Sequence, residues 1–534
     1  MAMKNTVTSL LILFAASSVV FAQTNVQVSS LGISNTEPYL AVNPTNSNNL
    51  IAAWMRLALG HTMTMAVSSS TNGGTTWSAP VMMPHLYPSF AHADPSLAFD
   101  KNGEAYLCFI DYDALGDSGY VMVAHSSDEG ATWGTPVKAI SALESSDVPI
   151  DRPWIAVDRS GGQYNGNIYV TSKSYYETPL PHHVWFTRLT DGGTTWSTHV
   201  MIDDSIQSDL VAQSMGALTV GVDGSVYIGY ISWDPSLYIG ARAVLMKSTN
   251  GGTSFTPSIV ENLPANSGVA DTLYQGSYCL SANPKDPNNL IFIATDAQYG
   301  DPDIVALHST DGGTSWSSIV RVNDDPKHNG VGQDMCWGSF SNDGSYTAAW
   351  RDRRNTGGAD TDAFEVYAAV STDGGATFSR NVDLSSTPSP FIDIVRGNDF
   401  LGIAIDSNNV SSAWSDKRTG NTQIFYGAIP VSSIVSSVDE AVHSTMPSES
   451  LLAEAFPNPD ANGEITLRVN DTSTEVLHIT LTDVAGKEVL VKDVPHYAGI
   501  QDIPLNISST PLGEYVVTIA GGKDKAVQLV VKMK

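Results

Sequence analysis

One eight-residue pattern occurs six times between residues 70 and 378, with successive copies ending 56, 63, 59, 61 and 62 residues apart. The copies read Ser-x-(Asp/Asn)-x-Gly-x-(Ser/Thr)-(Trp/Phe). Their fixed positions are Ser70, Asn72, Gly74, Trp77; Ser126, Asp128, Gly130, Trp133; Asp191, Gly193, Trp196; Ser248, Asn250, Gly252, Phe255; Ser309, Asp311, Gly313, Trp316; and Ser371, Asp373, Gly375, Phe378. The third copy carries Leu189 where the others have serine. A repeat of this period predicts one supersecondary unit used over and over. Within it, the Asp/Asn and hydroxyl side chains suit a turn, glycine supplies positive φ, and the aromatic packs the turn against its sheet. Nothing in the pattern performs chemistry.

The chain around each copy reads as short strands with no long helical period. An opening pair recurs, as in Tyr39–Asn43 followed by Leu50–Trp54, and Ser96–Asp100 followed by Ala105–Phe109. Seven such pairs accompany the six copies. The seventh unit has a third strand at Gln423–Ala428 and lacks a fourth. The segment Asn25–Ser29 resembles the strands that follow the other turns and is expected to fill the vacancy, which would remove an exposed edge. The expected fold is all-β: a seven-bladed β-propeller over 23–433, with six blades as the alternative. The pattern resembles the Asp-box, or bacterial neuraminidase (BNR) repeat, of sialidases and other propeller families. Sialidases have six blades, so the count departs from theirs.

The two ends differ from the repeat. Lys4, an apolar run from Leu10 to Val20, and Ala22 have the order of a secretory signal peptide, predicted over 1–22. A linker is expected over 434–452 and a small β-sandwich over 453–534. The latter starts at Phe456-Pro-Asn-Pro459, contains Asp483-Val-Ala-Gly-Lys487 and Leu512-Gly-Glu-Tyr515, and ends in Lys532-Met-Lys534. These features resemble the type A C-terminal sorting domain of the type IX secretion system of Bacteroidetes-type bacteria. The resemblance implies an extracellular or outer-surface protein that engages that machinery. No stretch offers the uninterrupted apolar length of a membrane span. A formal charge of −28 (27 Lys+Arg against 55 Asp+Glu) argues against nucleic-acid partners, which need clustered positive charge. Cys108, Cys279 and Cys336 read as buried thiols, with a Cys279–Cys336 bridge left open. The chain is expected to be a monomer.

Turns built by the repeat mark one face of a propeller, so a site is expected on the other. The segments leading into first strands there carry Glu37, Asp94, Asp151-Arg152 and Gln333-Asp334. Those leaving second strands carry Trp54-Met-Arg56, Trp350-Arg-Asp-Arg-Arg354 and Trp414-Ser-Asp-Lys-Arg418, while Asp303 and Glu365 open third strands. As catalytic candidates this gives Asp94, Arg152, Asp352, Arg354, Asp416 and Arg418, and as ligand-binding candidates Arg56, Trp54, Trp350 and Trp414. Aromatic faces stack on sugars, and carboxylate pairs can cleave glycosidic bonds. In the competing reading each Trp fills a gap between blades while Asp and Arg brace their own loop. The sialidase resemblance implies three arginines on a substrate carboxylate, the first in an Arg-Ile-Pro motif. Here that stretch is Thr36-Glu37-Pro38, so no catalytic residue carries over. No metal or cofactor is expected beyond Ca²⁺ at Asp301-Pro-Asp303, Asp360-Thr-Asp362 or Asp203-Asp204, none of which has EF-hand spacing. The expected role is a sialidase-like protein that binds or hydrolyses extracellular glycans. The alternative is a non-catalytic surface scaffold for protein partners.

Overall fold

The computed structural model describes residues 25–30, 34–57, 62–113, 118–175, 178, 180–190, 195–203, 212–213, 215–234, 239–262, 278–392, 401–406, 408–435, 451–456, 464–471, 476–483, 487–495, 499–521 and 524–532. The leader assigned to 1–22, most of the linker, and Asp191 and Gly193 of the third repeat lie outside these. The chain separates into two compact units, dividing after Ser436.

The first unit is all-β, built from antiparallel sheets that are nearly all four-stranded. The first sheet runs Ser34–Asn43, Asn46–Leu57, Thr64–Ser70, Val81–Met82, and the same meander recurs along the chain. In the last sheet Gly402–Ile405, Asn409–Asp416 and Gln423–Pro430 are joined by Val26–Gln27, with Val26 opposite Tyr426 and Gln27 opposite Phe425. First strands pack in succession: Ser34–Asn43 on Ala91–Phe99, then Asp151–Val157, Ala217–Val220, Cys279–Ala282, Gln333–Phe340 and Gly402–Ile405. Gly402–Ile405 packs back on Ser34–Asn43.

The strand pleat explains why so little charge appears in these runs. In Leu290–Asp296, Leu290, Phe292 and Ala294 enter one hydrophobic cluster, while Ile291 and Ile293 enter another on the opposite face. Alternate side chains thus serve two inter-sheet cores, and both faces must be apolar. Burying a side chain such as Ile291 contributes about 2 kcal/mol. Cys108, Cys279 and Cys336 are buried free thiols, with no bridge between the latter two.

The repeated turns are braced as their sequence suggests. In the second, Ser126 Oγ accepts from Gly130 N at 3.0 Å and donates to Asp128 Oδ1 at 2.8 Å. Asp128 Oδ1 also accepts from Thr132 N at 2.9 Å. The glycine has a second role that the pattern alone conceals. Gly130, at φ +86°, lies against Ile51 of the preceding sheet, where a Cβ would stand 2.7 Å from Ile51 Cδ1. Gly74 presses on Tyr426 in the same way, linking first and last sheets. Neighbouring sheets also hold these turns by hydrogen bonds: Asn49 Nδ2 to Glu129 O, Lys247 Nζ to Gly312 O, Asn289 Nδ2 to Gly374 O, Tyr426 OH to Gly73 O.

Among the described residues the second unit has two sheets. One contains Leu451–Phe456, Glu464–Asp471 and Gly499–Asn506; the other contains Glu488–Pro495, Val476–Asp483, Gly513–Gly521 and Asp524–Lys532. Ile465, Leu467, Ile503 and Leu505 from the first share one core with Leu477, Ile479, Val517 and Ile519 from the second. Lys532 Nζ donates to the carbonyls of Ile507, Ser508 and Thr510.

Candidate functional site

The ends of the sheets away from the repeated turns carry a backbone irregularity. In four first strands the register with the second strand slips, between Thr36 and Tyr39, Ala93 and Ser96, Asp151 and Trp154, and Asp334 and Trp337. The skipped segments hold Glu37, Asp94, Arg152 and Met335, all at positive φ between 46° and 55°. For residues with a Cβ this conformation is unfavourable and persists only where the surroundings impose it. The proline after Glu37, Asp94 and Arg152 cannot donate to the ladder, which helps to break it there. Asp94 and Arg152 are thereby half-exposed, whereas Glu37 and Met335 stay buried.

Two of these bulges are tied together, since Arg152 N donates to Asp94 Oδ2 at 3.0 Å. Two residues beyond three of them stand Tyr39, Trp154 and Trp337. Their rings meet across sheets that are not sequence neighbours: Trp154 and Trp337 stack at 4.8 Å, and Tyr39 sits edge-on to both at 6.1 and 5.7 Å. Burial, with a smaller effect from Cys279, pushes the Tyr39 phenol well up, so it stays neutral. This aromatic cluster escaped the sequence reading, although its constant offset from Glu37, Arg152 and Met335 is a signal that could have found it.

The Trp-x-Asp-x-Arg segments behave as braces. Trp350 Nε1 donates to Asp352 Oδ2 at 2.9 Å, and Arg354 returns to the same oxygen at 2.8 Å. Trp414, Asp416 and Arg418 repeat this with 2.9 and 2.6 Å. Trp54 Nε1 uses Asn35 Oδ1 instead, at 2.8 Å. Trp54, Trp350 and Trp414 are 0, 0 and 1% exposed. The expectation that they offer faces to a sugar is therefore corrected: each indole fills the space between sheets. Asp352 and Asp416 are fully buried beneath their arginines, which removes them from the positions a catalytic carboxylate would need. Of the catalytic candidates, only Asp94 and Arg152 lie on the strained rim.

Two arginines that the sequence reading passed over do more at this end. Arg351 grips Asp334 in a bidentate pair, with both distances 2.6 Å, and Arg353 Nη2 adds a third contact at 3.0 Å. Burial alone would raise Asp334, but the two guanidinium groups outweigh it and hold the carboxyl at about 2. Arg351 also lines a small cleft with Met335, Phe364, Ile392, Leu401, Trp414 and Ser415. Several of the acidic residues considered for Ca²⁺ are engaged within the protein, Asp362 by accepting from Ala359 N at 2.9 Å. Asp303 pairs with Arg321 at 2.6 Å, Asp301 Oδ2 accepts from Gly330 N, and Asp203 contacts His183. Asp204 lies outside the described residues.

Residues 64–359, more than half of the chain, match the family model described as a BNR repeat-like domain. The chain belongs to the BNR repeat-like family. In this BNR protein, residues 454–533 match the secretion system C-terminal sorting domain. A curated relative, a xyloglucanase of Paenibacillus sp., is 29% identical over 280 residues. That alignment covers 48% of this chain and 23% of the xyloglucanase, so the BNR protein spans under a quarter of that relative's length. Among solved structures, Hadza microbial sialidase matches with a TM-score of 0.42 at 15% identity, covering 76% of this chain and 67% of that one. A Dyadobacter fermentans protein of unknown function gives 0.43 at 14%, covering 65% and 96%. Trypanosoma rangeli sialidase gives 0.41 at 12%, covering 93% and 84%. No helix among the described residues is long and apolar enough to cross a membrane.

Proposed function

We propose that this BNR protein is a secreted, glycan-acting seven-bladed propeller, exported by the type IX secretion system and engaging a neutral polysaccharide at the end opposite its repeated turns. The propeller is supported by the cyclic packing of first strands and the pairing of Val26–Gln27 with Gln423–Pro430. The boundaries are a leader over 1–22, the propeller over 23–433, a linker over 434–452 and a sorting β-sandwich over 453–534. Two sheets sharing one core support the last assignment.

The observation that carries the site is the set of strained polar residues, Glu37, Asp94 and Arg152, set two residues ahead of the Tyr39–Trp154–Trp337 cluster or tied to it through Asp94. Trp154 and Trp337 are buried beneath this rim and position it, while the half-buried Asp94 and Arg152 are the polar groups that the hydroxyls of a sugar would meet. A neutral sugar is favoured over a sialoside. Arg351, Arg353, Arg354 and Arg418 are each occupied by the protein's own carboxylates, and a formal charge of −28 repels acidic chains. The xyloglucanase relative points the same way.

The test is reducing-end release and binding by the full chain on xyloglucan, other neutral β-glucans and sialosides. Turnover or retention on a neutral glucan, lost in Asp94→Asn or Arg152→Ala with folding intact, is expected. Turnover confined to sialosides, or no engagement of any glycan, overturns the reading. The second outcome would favour a protein-binding scaffold.

A further inference from the structure

A second constellation lies between the first two sheets, apart from the aromatic cluster. Asp111 is the penultimate residue of the strand Ala105–Tyr112 and is 1% exposed. Its Oδ1 faces two imidazoles, His85 Nδ1 and His92 Nε2, each at 3.3 Å, and its Oδ2 accepts from Leu86 N at 2.6 Å. The two rings stack at 3.9 Å. The backbone then fixes where the protons are. Met65 N–H donates to His92 Nδ1 at 2.9 Å, so the His92 proton sits on Nε2, 3.3 Å from Asp111 Oδ1. Burial drives the His92 pKa down against the pull of Asp111, and the ring stays neutral. For Asp111 burial pushes up, but the hydrogen bonds from His85, His92 and Leu86 prevail and keep it an anion.

The consequence falls on His85. With Nδ1–H directed at Asp111, its Nε2 carries a lone pair, and that nitrogen lies 3.0 Å from the hydroxyl of Thr64. His85 and Thr64 are each half-buried, at the edge of the cluster. Arg56 is the direct cross-strand partner of Thr64 and shares its face of the sheet. Arg56 Nε is buried without a hydrogen-bond partner, a donor left over beside the hydroxyl.

We propose that Thr64, His85 and Asp111 form a nucleophilic relay, a second catalytic site that hydrolyses carboxylic esters. Buried carboxylate, oriented imidazole and hydroxyl in sequence are what an acyl-transfer nucleophile requires. Thr64 Oγ1 bonds to the ester carbonyl carbon as its proton passes to His85 Nε2, and Arg56 stands beside the oxygen that gains charge. The bond to the alcohol oxygen breaks as His85 returns the proton to that leaving group. Water, deprotonated by the same nitrogen, then releases the carboxylic acid and restores the hydroxyl. The three ligand-type side chains also sit close enough for a metal ion. That use would need a lone pair on His92 Nε2, which the Met65 N–H opposes by claiming Nδ1.

The full chain is tested on p-nitrophenyl acetate, with acid-quenched peptide mapping for the acyl group. Release of p-nitrophenol is expected, with an acetyl group mapped to Thr64. Thr64→Val and His85→Ala should lower kcat/KM at least about 100-fold, while Thr64→Ser keeps activity. Thr64→Val removes only the hydroxyl, so it decides the matter even if His85→Ala unfolds. Equal rates in wild type and Thr64→Val, acetyl groups only elsewhere, or activity lost to EDTA and restored by Zn²⁺ each overturn the relay. Because the probe is not a glycan, the result is independent of the proposed polysaccharide site.

Discussion

Asp334 and Asp383 lie in the same sheet and are pushed in opposite directions. Asp334 is clamped by two guanidinium groups and held at about 2, whereas Asp383 is raised to about 7 by burial first and then by Glu365 and Asp352. The register puts Trp350, Asp352, Glu365, Tyr367 and Asp383 on one face of that sheet. The neighbouring last sheet repeats the arrangement with Trp414, Asp416, Gln423, Phe425 and Gln27. The repeat therefore supplies an internal control, in which three ionisable groups of one sheet are replaced by an amide, a phenyl ring and an amide in the other. The packing evidently does not need the acids. An acid with a folded pKa of about 7 and an unfolded value of about 4 binds more protons folded than unfolded between those limits. Its effect on stability is thus absent below pH 4, grows more unfavourable as pH rises, and is complete above pH 7. Asp383→Asn is expected to raise stability by about 1–3 kcal/mol at pH 8 and to change little at pH 4. Urea unfolding midpoints at the two pH values check this, and an equal gain at both would contradict it.

At the scale of the element, the repeated turn is a joint as much as a turn. Gly130 and Gly161 have similar φ, +86° and +74°, but only Gly130 lies against another sheet, while Gly161 has open space around its Cα. Both alanine variants carry the strain of left-handed backbone, about 1 kcal/mol. Gly130→Ala must also displace Ile51 and is expected to cost about 2 kcal/mol more. Thermal unfolding of the pair separates the two effects, and equal losses would mean that the contact with Ile51 relaxes freely. The comparison also shows what one chain segment can reveal. The bonds among Ser126, Asp128, Gly130 and Thr132 span a few residues and are readable from spacing; the contact of Gly130 with Ile51 joins separate units and is not. The Trp-x-Asp-x-Arg segments were legible as a pattern that fits either a brace or a sugar site. Only the burial of the indoles, a property of how sheets stack, decides between them. The Thr64–His85–Asp111 relay draws on three segments with no common spacing, and its proton positions depend on a backbone N–H from a fourth residue. Local pattern carries none of that.

For the first unit as a whole, a string of sheets that each bury both faces leaves two ends in need of partners. The last sheet reaches four strands only through Val26–Gln27. Val28 N donates to Ile424 O at 2.8 Å, and Ser29 Oγ donates to Gln423 Oε1 at 2.7 Å, so the C-terminal end of the short strand is held. Asn25 ties this corner to the sheet before it, since its Nδ2 donates to Leu384 O at 2.9 Å and its Oδ1 accepts from Arg418 Nη1 at 3.1 Å. Joining residues this far apart in sequence carries a loop-closure cost that grows only slowly with length, so a two-residue strand with these anchors is enough to hold it. Deleting residues 25–29 would leave Gln423–Pro430 as an open, largely apolar edge, the kind of surface that recruits a second chain. The shortened protein is expected to melt at least several degrees lower and to elute partly as dimers or larger species. Full-length and deleted proteins compared by thermal unfolding and size-exclusion chromatography provide the measurement. If both melt together and elute alike, the N-terminal strand is an ornament on packing that the first strands alone maintain.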